Sequence, residues 1–353
     1  MTVSAQSVSH KLNHCSSVRY HLEFASQWLQ DSAVTEICVN RPFEIWCERQ
    51  GIWEKHSDSQ LSLAYLHSLA TAVAKFSDNN ISDTCPILSA TLPDGERVQI
   101  VVPPACENNT VAVTIRKPSL KLHYLADYQN QGFFAHIRPV VEELTADERE
   151  LIQLKEQRDY CNFLKRAVQL EKVIVVAGET GSGKTTFMKA LLQEISCQQR
   201  IITIEDVPEL FLPNHPNHVH LFYPSEAKEE ENASVTASTL LKSCLRMKPS
   251  RILLAELRGG ETFDFINVAA SGHGGSITSC HAGSAALTFE RLALMILQNR
   301  QGRTLSHSVI QRLLYLVVDV IVHIHNSPLE GYGRHITEVW FDPMKKRSSE
   351  LTL

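Results

Sequence analysis

The spacing of apolar positions changes character once along the chain, and that change divides it. Residues 34–40 (VTEICVN) and 42–47 (PFEIWC) alternate apolar and polar positions in the manner of a strand pair. Within residues 61–76, Leu63, Leu66, Leu69, Ala70 and Val73 recur at helical spacing. Residues 86–92 and 97–102 (RVQIVV) return to strand character around the turn Pro93-Asp94-Gly95-Glu96, and 111–116 (VAVTIR) predicts a further strand. A polar stretch around Tyr128-Gln129-Asn130-Gln131-Gly132 follows and runs on to Pro139. Thr145 and Glu148 then have the spacing of a capping box, which predicts a helix from there to about Gln169.

Beyond that helix, apolar β-branched runs alternate with helical segments. The predicted strands are 172–177 (KVIVVA), 200–204 (RIITI), 251–255 (RILLA) and 276–279, with helices such as 185–194 and 234–247 between them. Strands apolar on both faces, separated by helices, imply a parallel sheet covered on both sides. The predicted class is therefore α/β, with a smaller α+β domain in front. The expected division is a polar arm at 1–20, the α+β domain at 21–130, a linker at 131–145 and the α/β domain at 146–353. Glu229-Glu230-Glu231 reads as a solvated loop.

Composition narrows the function. A chain of 353 residues suits about two domains. With 43 % hydrophobic and 21 % charged residues it is not a disordered chain. The net charge of −5, spread evenly over both halves, disfavours a strongly basic nucleic-acid binder or helicase. No apolar run reaches the roughly 18 residues needed to cross a bilayer; the run at 313–322 is interrupted by Asp319. The first twenty residues have no apolar core of the kind found in a secretory leader, so none is expected. The nine cysteines are odd in number and lack C-x-x-C spacing. They read as free thiols of a reducing cytosol, not as a disulfide framework or a zinc module.

The most specific chemistry lies at 178–186, GETGSGKTT, which follows an apolar strand and precedes a helix-forming run. This is the phosphate-loop pattern G-x-x-x-x-G-K-T in its required context. Gly178, Gly181 and Gly183 let the backbone approach closely, so that the amides of Thr180, Ser182 and their neighbours converge on phosphate oxygens. Lys184 should reach the β- and γ-phosphates of ATP. The Thr185 hydroxyl should ligate Mg²⁺, with Thr186 beside it.

Such loops work with acidic groups at the ends of neighbouring strands. Glu256 ends the run RILLAE and is the candidate general base for the attacking water. Ala255 stands where many P-loop ATPases have Asp. Glu205, Asp206 and Glu209 follow the strand 200–204 and are candidates for the metal's water shell or for orienting water. His281 ends the short strand after the Gly-rich turn 271–276, where it could hydrogen-bond the γ-phosphate. His273 is a weaker candidate, and His215, His218 and His220 read as loop residues without metal-ligand spacing.

Four segments occur in order: GETGSGKTT at 178–186, TIEDVPEL at 203–210, RILLAELRG at 251–259 and SGHGGSITSCHA at 271–282. They resemble the Walker A, Asp box, atypical Walker B and His box of the secretion ATPase superfamily. LPDGERVQIVVPPA at 92–105 and VTIRKPS at 113–119 resemble its N-terminal segments. Within the superfamily the chain is most similar to ATPases of bacterial type IV secretion and conjugation systems. The missing C-x-x-C pair speaks against the type II branch, which typically carries a four-cysteine zinc element. Pilus-retraction motors share the four boxes. Cys280 departs from the family's larger aliphatic residue under the His box.

The resemblance implies a RecA-like P-loop ATPase domain and a homohexameric ring, with nucleotide at the junction between the domains. It implies that Arg97 and Arg116 reach across to the phosphates, and offers Arg246, Arg251 and Arg258 as subunit-interface contacts. It implies inner-membrane channel proteins and other secretion ATPases as partners. It also implies a cytoplasmic place, peripheral to the inner membrane, and no sequence-specific nucleic-acid binding. The alternatives are a pilus motor and a nucleotide-gated scaffold with little turnover.

Overall fold

The computed structural model describes residues 15–119, 122–137, 143–224, 234–328 and 331–350. Most of the polar arm, parts of the expected linker and the acidic triplet at 229–231 lie outside them. Two sheets organise the rest. The first is antiparallel throughout, in the order β3-β2-β1-β6-β5-β4. Its strands are β1 (Val34–Val39), β2 (Glu44–Arg49), β3 (Ile52–Ser57), β4 (Ile87–Thr91), β5 (Arg97–Val101) and β6 (Ala112–Arg116). The helix Leu63–Phe76 starts at Ser62, whose side chain accepts from the Tyr65 amide, and buries Leu66, Leu69, Ala70 and Val73. These pack on Ile37, Ile45, Ile100 and Ile115 of the sheet. Each fully buried leucine, isoleucine or valine among them is worth about 1.5–3 kcal/mol.

The second sheet has the order β13-β12-β7-β11-β10-β8-β9. Its strands are β7 (Ile174–Gly178), β8 (Ile201–Glu205), β9 (His218–Phe222), β10 (Arg251–Leu257), β11 (Ile277–Cys280), β12 (Val320–Ser327) and β13 (Gly333–Trp340). Every neighbouring pair is parallel except β12 with β13. Alternate residues of one strand enter opposite cores. Val175, Ala177, Ile202 and Ile204 join one cluster, while Ile174, Val176, Ile201 and Leu253 join the other. That is why the strands read as continuous apolar runs and not as alternating ones.

The structure corrects the expected elements in three places. The helix foreseen from Thr145 to Gln169 is two helices, Ala146–Glu156 and Tyr160–Gln169. Arg158 turns left-handed between them (φ 58°), and Asp159 caps the second by accepting from the Asn162 amide. The capping box at Thr145 and Glu148 is present. β3, β9, β12 and β13 extend the sheets beyond the foreseen strands. His218 and His220 consequently lie on a strand, not in a loop. β9 alternates, burying Val219 and Leu221, so it reads weakly beside its fully buried neighbour β8.

The two sheets meet at β9. Phe222 N donates to Ala105 O (2.9 Å), and Cys106 bridges Leu221 in antiparallel fashion. The first sheet's connection thus covers the edge of the second. Arg200, wholly buried, donates through Nη1 to Asn40 Oδ1 and Asn217 Oδ1, both at 2.6 Å. Gln99 Nε2 donates to Ser243 Oγ at 2.9 Å, and Lys248 pairs with Glu48 at 3.4 Å. Val101, Ala105, Cys106 and Ala112 share one apolar cluster with the second sheet.

Candidate nucleotide site

The β7 strand delivers the loop 178–183 to the C-terminal edge of the parallel sheet, and the helix Lys184–Leu192 carries the chain away from it. Gly183 caps that helix in the left-handed region (φ 97°), and Gly181 is also left-handed (φ 78°). At Gly178 close approach decides the residue, because a Cβ there would lie 2.3 Å from Ile324 O of β12 and 2.7 Å from Ser182 Oγ. Successive amides can converge in this geometry, and the helix start adds partial positive charge.

Two features suit the loop to an oxyanion. The Ser182 hydroxyl is buried without a hydrogen-bond partner. Lys184 is buried, and burial holds its ammonium below the ordinary lysine value. Its Nζ donates to Gly178 O and Glu179 O, both at 2.9 Å, and stands 3.4 Å from His281 Nδ1. These residues fit a bound triphosphate, with the partly buried Thr185 placed directly after Lys184 on the same turn for the metal. Thr180 and Thr186 are exposed on either side.

From Lys184 a chain of charged groups crosses three strand ends. His281 follows β11, and its Nε2 approaches Glu256 Oε1 to 2.7 Å. That oxygen nevertheless has no hydrogen-bond donor among the described residues. Arg258 Nε donates to Glu256 Oε2 at 2.7 Å, and its Nη1 pairs with Asp206 at the end of β8. Burial alone would lower the Arg258 pKa, and these pairs outweigh it and hold the guanidinium above its ordinary value. The carboxylates of Glu256 and Asp206 are largely buried, while Arg258 and His281 reach them from half-exposed positions.

Glu205 and Glu209 part company. Glu205 is fully buried and accepts from Thr203 Oγ1 (2.7 Å), Glu209 N (2.8 Å) and Leu210 N (2.7 Å). Burial alone would raise its pKa, but bonds from His220, Leu210 N, Thr203 and Glu209 N hold the carboxyl below the usual range. Its oxygens are therefore committed to shaping the turn 206–210. That turn leaves the Glu209 side chain exposed.

Arg97 and Arg116 stand directly opposite each other on β5 and β6, so their side chains share one face of the first sheet. Arg116 is 3.6 Å from Glu36, and Arg97 has no ion pair among the described residues. Among the described residues neither has a hydrogen bond or ion pair to the phosphate loop. Arg251, foreseen at a subunit interface, is instead buried under Gly275 and donates to Gln199 Oε1 and Val168 O. It is unavailable to a neighbour. Cys280 packs fully buried beneath the site, and burial pushes its thiol up to about 12.

Sequence reasoning missed two loop contacts from the β12–β13 pair. Arg334 Nε donates to Gly181 O at 3.1 Å, and His325 Nδ1 lies 2.5 Å from Glu179 Oε1. The signal was in the apolar run before Ser327, which Asp319 splits into the end of a helix and the start of a strand.

Comparison with known proteins gives consistent results. A family model described as "Type II/IV secretion system protein" matches residues 21–326. The type IV secretion system protein VirB11 of Brucella abortus is 68 % identical over 340 residues, 96 % of this chain and 94 % of that protein. The type IV secretion system protein PtlH of Bordetella pertussis is 44 % identical over 325 residues, 92 % of this chain and 95 % of that one. The crystal structure of the VirB11 ATPase from the Brucella suis type IV secretion system, in complex with sulphate, superposes with a TM-score of 0.92 at 64 % identity. It covers 97 % of this chain and 99 % of that chain.

Proposed function

The chain belongs to the type II/IV secretion system protein family, and from that premise we propose a Mg²⁺-dependent ATPase that powers substrate export or pilus assembly in a type IV secretion or conjugation system. The observation that carries the reading is the line Lys184–His281–Glu256–Arg258–Asp206, laid across the strand ends beside an oxyanion loop. The relative solved with sulphate binds an anion of similar charge and shape to phosphate.

ATP, when bound with Mg²⁺, supplies the γ-phosphoryl group and a cation that spreads its charge. Lys184, whose Nζ bonds to the Gly178 and Glu179 carbonyls, would hold the phosphates, and Thr185 would hold the metal through its hydroxyl. Glu256 accepts a proton from the attacking water through Oε1, the oxygen without a donor. Arg258 holds the other oxygen and so fixes the carboxylate's direction. His281, between Lys184 and Glu256, senses whether the γ-phosphate is present. Glu209 and Asp206 order the outer water shell, with Glu205 fixing their turn.

Arg97 and Arg116 supply positive charge from the first sheet. Like charges directly opposite on paired strands are unfavourable, and Glu36 offsets this only on the Arg116 side, which leaves Arg97 as the cation to meet the phosphates. Division near 131–145 would let the first sheet close on the nucleotide of its own or a neighbouring subunit. We read the assembly as a homohexameric ring, peripheral to the cytoplasmic face of the inner membrane, with channel proteins and other secretion ATPases as partners. Among the described residues no helix is long and apolar enough to cross a membrane.

Steady-state turnover tests the chemistry. Lys184→Ala should abolish it, and Glu256→Gln should lower it by about 10²–10⁴-fold. Undiminished turnover in Glu256→Gln would remove the general base. Particle mass with and without ATP and Mg²⁺ tests the ring, and a strict monomer in both states would exclude it. Ala255 favours a second reading, a nucleotide-gated scaffold, since that position offers the metal no carboxylate. Wild-type turnover no faster than that of Lys184→Ala, with partners present, would select it.

A further inference from the structure

The β2–β3 hairpin of the first sheet carries a donor set that the nucleotide chemistry does not use. Cys47 on β2 stands directly opposite Glu54 on β3, and His56 lies two residues further along β3. The three side chains therefore rise from one face of the hairpin. Cys47 Sγ is 3.4 Å from His56 Nε2 and 3.6 Å from Glu54 Oε2, and those two atoms are 3.7 Å apart.

These separations match the edges of a small coordination polyhedron. With Zn–S near 2.3 Å and Zn–N or Zn–O near 2.0 Å, adjacent ligand atoms of a tetrahedral ion lie about 3.3–3.6 Å apart. All three edges of the Cys47–Glu54–His56 triangle fall within about 0.4 Å of that geometry. The surroundings have the character of an outer shell. Arg49 Nε donates to Glu54 Oε1 (3.2 Å), leaving Oε2 to face the other two donors. The Arg49 charge is itself paired with Asp31. The Trp28 ring lies against His56, with centroids 5.0 Å apart, and limits its rotation. Cys47 is wholly buried, whereas the Glu54 and His56 side chains are each 38 % exposed and form the way in.

We propose that Cys47, Glu54 and His56 form a zinc site on the β2–β3 hairpin, with water in the fourth position. A thiolate with an imidazole selects a borderline cation over Mg²⁺ or Ca²⁺, so this site is chemically separate from the one at Thr185. Without a cation, burial and the neighbouring Glu54 push the Cys47 thiol up to about 11, and binding releases its proton to solvent. The bound ion ties β3, an edge strand, to β2 by side chains as well as by the backbone ladder.

The test uses the full chain, stripped with chelator and dialysed, without nucleotide. Zn²⁺ should bind at one equivalent and raise the melting temperature. Co²⁺ used as the probe should give a thiolate-to-cobalt charge-transfer band and the visible bands of a tetrahedral ion. Cys47→Ser should abolish the charge-transfer band. His56→Asn and Glu54→Gln should each weaken Zn²⁺ binding by about tenfold or more while ATP turnover is retained. The half-exposed His56 and Glu54 variants decide the matter even if Cys47→Ser fails to fold. Absence of stoichiometric Zn²⁺ binding overturns the proposal. So does a charge-transfer band that persists in Cys47→Ser, or an affinity unchanged in His56→Asn and Glu54→Gln.

Discussion

Truncating Arg200 should unfasten the seam between the two sheets. Its side chain is wholly buried and bonds only to neutral oxygens: Asn40 Oδ1, Asn217 Oδ1 and, through Nε, Met247 O at 2.9 Å. The guanidinium also lies over the Trp53 ring, 5.6 Å from its centroid. In Arg200→Ala, Asn217 Oδ1 keeps the bond from Asn40 Nδ2 at 3.0 Å. Asn40 Oδ1 and Met247 O then have no other donor among the described residues. Two orphaned acceptors cost about 1–3 kcal/mol each, and the lost ring contact about 0.5–2 more. Relief of a desolvated charge, whose Nη2 has no hydrogen bond, returns part of this. The net expectation is a loss of about 3 kcal/mol, read from the urea midpoint by tryptophan fluorescence, with earlier proteolysis between the sheets. Arg200→Met keeps most of the apolar stem and should lose less than Arg200→Ala while remaining below wild type. A methionine variant as stable as wild type would mean that desolvation outweighs the bonds, and the reasoning would fail.

Three further expectations concern other parts of the molecule. Gly178→Ala forces a methyl against the Ile324 carbonyl, so it should destabilise by about 1–3 kcal/mol and weaken ATP binding; calorimetry of unfolding and nucleotide titration read both, and unaltered affinity would contradict the close approach. Glu205→Gln and Glu209→Gln should separate structure from chemistry. The first should lower stability by about 1–3 kcal/mol because an acid that organises two amides is lost, and the second should lower turnover with the melting temperature unmoved. The acid response should contain two opposed parts. Burial raises Glu36 from 4.5 to about 7, so the folded state binds the extra proton and that stability, present at low pH, is lost as pH rises through 7. Burial lowers His218 from 6.5 to about 4, so its contribution is present above 6.5 and lost as pH falls through 4. At about 1.4 kcal/mol per pH unit each is worth about 3 kcal/mol, and they nearly cancel between. Urea melts should show Glu36→Gln gaining on wild type as pH rises from 4.5 to 7, and His218→Asn gaining as pH falls from 6.5 to 4; parallel profiles would refute both assignments.

Legibility in the sequence followed the range of the interaction. The phosphate loop was readable because strand, glycine turn and helix are contiguous. The strand ends carrying Asp206, Glu256 and His281 were readable as separate points. Their joining was not, since it depends on β10 lying between β8 and β11 in parallel register. Arg258 therefore had no visible partner in the sequence, and Arg251 looked available although it lies beneath Gly275. β3 gave no strand signal because it is an edge strand without a fully buried face, and the Cys47–Glu54–His56 set was hidden with it.

What the sequence could not disclose at all was which polar atoms the fold leaves unanswered. A chain selected only for stability would satisfy its buried polar groups and separate its like charges. This one buries the Ser182 hydroxyl and Glu256 Oε1 without hydrogen-bond partners, spends the Lys184 ammonium on two loop carbonyls, and sets Arg97 opposite Arg116. The first three belong to the phosphate-loop site and share its strand ends, whereas the arginine pair belongs to the other sheet. Within that pair Arg116 already faces Glu36 at 3.6 Å, so Arg97 is the cation without an ion pair among the described residues, and unpartnered buried atoms occur elsewhere too, at Arg200 Nη2 and Thr262 Oγ1. On the proposed function, a triphosphate would answer the Ser182 hydroxyl and the Lys184 ammonium together, and Arg97 would add its charge if the first sheet closes on it.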